Sequence, residues 1–417
     1  MAAVDGKRLE RGGLEVIDTH IALSDALGLL EQGTGPVAID TERASGYRYS
    51  DRAYLIQIFR RGTGTLLIDP IPFGSLKSVT EVIAEDEWIL HAATQDLPSM
   101  RDIGLTPTRL FDTELAARLL GMDRVGLGAV VQELLGIELA KAHSADDWSV
   151  RPLPKEWLAY AALDVELLVD VRDRLATHLT EAGKADWARE EFADELVRPL
   201  NPVKHLALEP DADPERWRGL SGIHQLRSPR SLAIARELWL SRDALARETD
   251  TAPGRIVPDR ALLAVAKAQP RSKGQLAGMS DFTGKQSRSQ LDRWWDAVAA
   301  GRETDTPPTR ATGDPGKLPP LKAWEQKRPE AFARINSARP AVAERAEELH
   351  VPTENLLTPS LLRQLAWDGT ATAEPEVRDE LGALGARQWQ INITAPVIAG
   401  AFVEAAQGGS GSTSSAR

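Results

Sequence analysis

The sequence predicts an α/β protein in which a mixed β-sheet flanked by helices is followed by two all-α helical units. Two observations predict the sheet. Short apolar runs come first as a hairpin, split by Arg60-Arg61-Gly62, and then alternate with stretches of helical periodicity. A third observation predicts the helical part. Past residue 214 the apolar residues recur at helical spacing, with proline-led helix starts and a partial repeat.

The elements follow in order. Residues 14–17 read as a short strand and 21–30 as a helix. Val37–Asp40 reads as a buried strand, with Thr41-Glu42 directly after it. Residues 54–58 and 64–68 form the hairpin, a helix covers 76–84, and Trp88-Ile89-Leu90-His91 is a buried strand. Leu110-Phe111-Asp112 is another strand, with helices over 114–120 and 127–135. A long helix is expected from 157 to 179.

Composition bounds the function classes. The 417 residues suffice for two or three domains, and 42% hydrophobic with 27% charged residues is ordinary for a globular protein. No apolar run approaches the roughly 20 residues of a membrane span. The polar start, MAAVDGKRLERGG, has no apolar core, so no secretion signal is expected. The absence of cysteine excludes disulfides and cysteine-ligated zinc and fits a cytoplasmic location. The net charge is −11, but residues 215–296 hold 15 Lys/Arg against 9 Asp/Glu, a net +6 that leaves −17 for the remainder. An acidic body with one basic module is compatible with nucleic-acid binding through that module.

Asp40 and Glu42 are two apart, so on a strand their side chains leave the same face. Two carboxylates on one face repel unless a cation lies between them, and a divalent metal is the usual one. Alone, the pair reads more simply as a strand end with two solvated acids. Asp96 follows a buried strand where a helix should begin, and alone it reads as a helix cap. Tyr160 and Asp164 are four apart on the long helix and share a face, which alone is a tyrosine hydroxyl bonded to a carboxylate. Together the four acids and the tyrosine form one constellation. Two metal ions about 4 Å apart, held by carboxylates, can clamp the attacking and leaving oxygens of a phosphodiester.

Three motifs make the likeness specific: Asp40-Thr41-Glu42, His91-Ala92-Ala93-Thr94-Gln95-Asp96-Leu97 and Tyr160-Ala161-Ala162-Leu163-Asp164, with Asp147-Trp148-Ser149-Val150-Arg151-Pro152-Leu153 leading into the last. On them residues 14–200 resemble the DEDD exonucleases whose third motif is Tyr-x-x-x-Asp, and within these the ribonuclease D family. The resemblance implies a ribonuclease H-like mixed sheet. It implies two Mg²⁺ or Mn²⁺ ions held by Asp40, Glu42, Asp96 and Asp164, with Tyr160 positioning the water. It also implies 3′–5′ action on RNA with release of nucleoside 5′-monophosphates. Single-stranded 3′ ends of structured RNA, such as a tRNA precursor, are the implied substrates. The rivals are a DNA exonuclease of the same fold and an inactive RNA-binding protein. The expected state is a monomer with no membrane association.

Several other polar residues are open to two readings. Gln57 faces substrate or is a buried amide satisfied by backbone; His91 is near the site or, more simply, a hydrogen-bonded core histidine. Arg43, Arg48, Tyr49 and Arg52 lie in a loop that touches phosphate or only solvent, and Arg151 is similar. His143 reads as a loop histidine.

In the second half, residues 201–214 read as a linker. Ser228-Pro229 should open a helix to 247, Asp259 should cap one through 268, and Ser272-Lys273-Gly274-Gln275 has the form of a capping box. The last helix carries Leu291, Trp294, Trp295 and Val298; the tryptophans stack bases or, more simply, fill the core. Residues 214–300 resemble the nucleic-acid-binding HRDC domain. Residues 301–318 read as a second linker, and 319–404 as a second HRDC-like unit. Its Pro352, Thr358 and Leu361-Leu362 match Pro253, Asp259 and Leu262-Leu263. Residues 405–417 are expected to be a disordered tail.

Overall fold

The computed structural model describes residues 15–139, 145–199, 214–310, 318–369 and 371–410. His143, most of the first expected linker, part of the second and the end of the tail lie outside them.

The strands are β1 (Val16–Ile17), β2 (Thr34–Arg43), β3 (Ala53–Arg61), β4 (Gly64–Ile68), β5 (Glu87–Leu90) and β6 (Arg109–Asp112). They form one mixed sheet in the order β1-β4-β3-β2-β5-β6. The β2-β3-β4 pairs are antiparallel, whereas β1 on β4, β5 on β2 and β6 on β5 are parallel. Helices α1 (His20–Gln32), α2 (Lys77–Val82), α3 (Leu97–Asp102), α4 (Thr113–Leu119), α5 (Leu127–Leu135), α6 (Lys155–Glu166), α7 (Leu168–Glu181) and α8 (Ala185–Val197) complete the domain. Strand β2 is central and covered on both faces. Val37 and Ile39 pack with Leu23, Ala26 and Leu30 of α1, and Ala38 packs with Val165, Leu168 and Val169 of α6 and α7.

Three elements depart from expectation. Strand β2 does not end at Asp40: from Val37 it pairs with β3 in one register through Glu42, and the register shifts again before Arg43. The long helix is two helices, broken at Leu167 where φ is −90° and ψ is −15°. Helix α8 has no counterpart in the expected elements, because its core face mixes Ala188 and Phe192 with buried Glu191 and Glu195, which blurs the apolar period.

The second half is helical: α9 (Pro229–Glu248), α10 (Pro253–Ile256), α11 (Asp259–Ala268), α12 (Lys273–Ala277), α13 (Lys285–Ser289) and α14 (Leu291–Glu303), then α15 (Trp324–Lys327), α16 (Pro329–Glu348), α17 (Thr353–Leu356), α18 (Pro359–Asp368), α19 (Glu374–Ala383) and α20 (Gln388–Ser410). Ser228 caps α9 by accepting from the Ser231 N–H, with Pro229 at the first helical position. Trp294 is wholly buried in the core of this unit and Trp295 packs against that core. Asp259 does not cap α11. Its carboxylate accepts instead from the Ser221 N–H and from Arg242, tying three segments together. The capping box is also displaced: Ser272 accepts from the Gln275 N–H, but the Gln275 side chain accepts from Arg271. Helix α14 runs to Glu303, into the expected linker, and α20 runs to Ser410, into the expected tail. The good helix formers Ala405-Ala406-Gln407 carry that last extension.

The internal repeat is real but offset by one residue from the sequence alignment. Helices α9, α10 and α11 recur as α16, α17 and α18 exactly one hundred positions on, so Leu262 matches Leu362. Each first helix ends in a left-handed residue, Asp250 (φ 42°) and His350 (φ 52°).

Both corners are docked on the α/β domain. The Asp250 carboxylate accepts from the N–H groups of Tyr49 and Ser50, and the Ala252 N–H donates to Tyr47. Tyr49 is 3% exposed, with its hydroxyl on Asp243 and its ring under Arg247. Tyr49 is therefore a domain contact and not a phosphate ligand. At the second corner the buried Lys184 ammonium donates to the carbonyls of Leu119, Leu349 and His350. Arg387 and the Trp389 indole both donate to Glu191, and Trp187 stacks on Trp389.

Gly121 (φ +75°) lies so close to this second corner that a Cβ would stand 2.4 Å from the His350 carbonyl, whereas Gly136 (φ +70°) has nothing within 4 Å. Gly136→Ala is expected to cost about 1–2 kcal/mol for its left-handed backbone. Gly121→Ala should cost a further ~1–3 kcal/mol of overpacking, read as the difference in denaturation midpoint between the two variants.

Candidate active site

Strand β2 sets Asp40 and Glu42 on one face, and α6 lies across that face against β2, β3 and β4. Asp164 and Tyr160, one turn apart on α6, point back at the strand. The structure thus brings ligand oxygens of Asp40, Glu42 and Asp164 within 4.8 Å of one another. The Tyr160 hydroxyl hydrogen-bonds Asp164.

Asp96 stands beside this trio rather than in it. It occupies the N-cap position of α3, yet its side chain makes no cap bond. Its carboxylate accepts from the Thr41 hydroxyl at 2.9 Å and pairs with Arg43 at 3.0 Å. The turn that delivers it is held by Asp112, which accepts from the N–H groups of Ala92 and Ala93 while capping α4 through Glu114 and Leu115. Ala92 takes a left-handed φ of 60° there. The sequence reading missed Thr41 and Asp112. The signal for Asp112 is present in hindsight: an acid at a strand end directly before a helix start.

Crowding and burial govern the electrostatics. Burial first, then the neighbouring Asp164 carboxylate, pushes Asp40 up to about 7. Burial raises Asp164 to about 7, and burial with Asp40 raises Asp96 to about 7. Glu42, facing Asp40, Asp164 and Asp96 as well as being buried, is driven up to about 10. Burial and the same acids hold the Tyr160 phenol protonated. The cluster is short of positive charge, with Arg43 its one nearby cation among those that shift these acids. An all-oxygen donor set of this kind suits a hard divalent ion, so the residues fit the metal that the resemblance implies.

The remaining candidates sort differently. Arg43 ends β2 rather than lying in a loop, and its guanidinium is committed to Asp96 and the Gln95 carbonyl. Arg48 donates to Ser149, Arg52 lies over the Tyr54 ring, and Arg151 pairs with Asp69 while donating to the Trp148 and Tyr54 carbonyls. Arg48 and Arg151 therefore anchor the lead-in to the third motif. His91 bonds Thr113, and burial lowers it to about 4, so it is a neutral structural histidine. Gln57 is opposite Asp40 in the β2–β3 register and fully buried, but neither amide atom has a protein partner. Of the two readings of Gln57, the backbone-satisfied amide is not what forms.

The comparisons with known proteins agree with this geometry. The 3′-5′ exonuclease family profile matches residues 14–180, the HRDC domain profile matches 231–298, and the profile for the 3′ to 5′ exonuclease C-terminal domain matches 317–402. Ribonuclease D of Pseudomonas paraeruginosa is 31% identical over 355 residues, 83% of this chain and 87% of the relative. The chain belongs to the ribonuclease D family. Ribonuclease D of Xanthomonas oryzae is 28% identical over 79% of the chain and 87% of its own length. A crystal structure of a protein from Bifidobacterium adolescentis aligns with a TM-score of 0.82 at 34% identity, covering 94% of this chain and 98% of that one. Escherichia coli RNase D, at 23% identity and a TM-score of 0.65 over 94% and 99% of the two chains, shares the fold. As a member of that family the chain is a hydrolase, a divalent-metal-dependent 3′–5′ exoribonuclease.

The raised carboxyls fix the sign of a pH effect. In the metal-free protein the folded acids keep protons that the unfolded chain has released above about pH 4. Stability therefore falls as pH rises from there through about 7. The melting temperature in EDTA is expected to drop over this range, and Mg²⁺ or Mn²⁺ should restore it most at the alkaline end. Asp40→Asn removes one repelling charge and should raise the EDTA melting temperature at pH 8 by a few degrees. A flat profile would contradict the assignment.

Proposed function

We propose that Asp40, Glu42, Asp96 and Asp164 hold two divalent ions, Mg²⁺ or Mn²⁺, and that Tyr160 positions the attacking water. The observation that carries this reading is the convergence of three acids from β2 and α6 on one point, with a protonated tyrosine bonded to one of them. Bound there, the ions supply Lewis-acid polarisation of the phosphodiester and a more nucleophilic water.

The residues of the chain do the rest. Tyr160 keeps its proton, so it orients the water as a hydrogen-bond partner and does not act as a base. Thr41 and Arg43 fix the direction of the Asp96 carboxylate, and Asp112 holds the turn behind it. Water attacks the last phosphorus, the bond to the 3′-oxygen breaks, and that oxygen takes a proton to leave a new 3′-hydroxyl. The product is a nucleoside 5′-monophosphate.

The substrate we infer is RNA with a single-stranded 3′ end on a structured body, a tRNA precursor being the type. The enzyme acts as a monomer. Residues 14–200 form the exonuclease domain, and 214–300 and 319–404 are two HRDC-like units. The basic first unit supports RNA binding, because phosphate contacts dominate non-specific affinity. Among the described residues no helix is long and apolar enough to cross a membrane.

The test is a 5′-labelled RNA with a 3′ single-stranded tail, incubated with Mg²⁺, Mn²⁺ or EDTA beside a matched DNA. A ladder shrinking from the 3′ end is expected with either metal and none with EDTA, Asp40→Asn or Asp164→Asn. Tyr160→Phe should lower kcat by about 10² or more with little change in KM. Equal cleavage of DNA would remove the RNA preference, and binding without cleavage under any metal would remove the enzymatic reading.

A further inference from the structure

The first helical unit contains a cavity of about 340 Å³ lined by Arg230, Lys267, Ala268, Gln269, Arg271 and Arg302. Four of these six residues are cationic and none is acidic. Among the described residues none of the four cations is in an ion pair. Arg230 donates to the Gly301 and Thr304 carbonyls, Arg302 to the Pro270 carbonyl, and Lys267 to the Gln225 amide oxygen, all neutral acceptors. A guanidinium has five N–H donors, and these bonds use one nitrogen of each arginine. The cavity also adjoins the N-terminus of α9, a second source of positive potential.

The scaffold does not require this charge. One hundred residues on, at the matching positions of the repeat, Glu330 stands for Arg230 and Trp367 for Lys267. The same helices therefore pack without the cations. Arginines that merely capped helix ends would not need an exposed lysine and a second exposed arginine beside them, as Lys267 and Arg271 are.

Its position says which part of a substrate it meets. Helix α9 touches the nuclease domain near its C-terminal end, through Asp243 and Arg247 on Tyr49, and the cavity lies at its N-terminal end. Arg230 and Asp243 are thirteen residues apart, about 20 Å along the helix. At about 3.4 Å per nucleotide of a strand, the cavity is thus roughly six nucleotides beyond the contact of α9 with Tyr49.

We propose that this cavity is a phosphate-binding subsite that grips the RNA backbone several nucleotides upstream of the 3′ end being cleaved. The proposal rests on the exoribonuclease reading for its substrate and adds where the body of that substrate is held.

The experiment compares wild type with K267E/R271E, both positions being exposed, and with the neutral K267Q/R271Q. Binding of a 3′-tailed hairpin RNA is followed by anisotropy in EDTA across a salt series, and hydrolysis of a ribotrinucleotide is followed with Mn²⁺. K267E/R271E should bind the hairpin at least about tenfold more weakly, with a salt slope reduced by about 2. Turnover of the trinucleotide, too short to reach the cavity, should be unchanged, and the neutral variant should fall between. Unchanged hairpin binding, or equal losses on both substrates, would overturn the subsite. A wild type that does not hydrolyse the trinucleotide would instead overturn the exoribonuclease reading, and the EDTA binding arm would still decide the cavity.

Discussion

Everything around the site serves to hold carboxylates where they repel one another. Asp40, Glu42 and Asp164 crowd within one ion's reach, and burial removes the water that would screen them. No arrangement of this kind forms for its own stability. It persists because the central strand is packed on both faces and α6 is pinned across it by apolar contacts of Leu158, Ala161, Ala162 and Val165. The Arg151–Asp69 pair and the buried Trp148 against Trp157 secure the approach to that helix. The metal-free site is thus strained by charge, and a cation is the component that relieves it.

The fourth acid shows how the strain is moderated. Asp96 is bonded by Thr41 and paired with Arg43, while Asp40 and Glu42 of the trio still repel it. An arginine one position past the first motif is thereby the internal counter-ion of the second. Such a pair is worth more than a surface ion pair, since Asp96 is 5% exposed and poorly screened.

How much of this was legible in the sequence depended on whether chemistry or packing set the residue. Asp96 was legible only through the resemblance of its motif. Spacing made legible that Asp40 and Glu42 share a strand face and Tyr160 and Asp164 a helix face, because a strand repeats every second residue and a helix about every fourth. The mixed sheet was legible from its apolar runs for the same reason. What escaped is what depends on partners distant in sequence. Tyr49 looks like any loop tyrosine until Asp243, almost two hundred residues away, covers it. Asp259 looks like a cap until Ser221 and Arg242 claim its carboxylate. Helix α8 hides because its inner face carries two buried glutamates, one of which, Glu191, is bonded by Arg387 and Trp389 of a later unit. The repeat was found but misplaced by a residue, since leucine pairs and prolines mark a helix turn more sharply than a register.

The two left-handed corners, Asp250 and His350, occupy the same place in the repeat and both press on the nuclease domain, one through a carboxylate and the other through a carbonyl over Lys184 and Gly121. The duplicated unit thus carries one attachment point, used twice with unlike chemistry. One copy is basic and keeps a core largely its own, whereas the other merges its core with that of the catalytic body, as a brace.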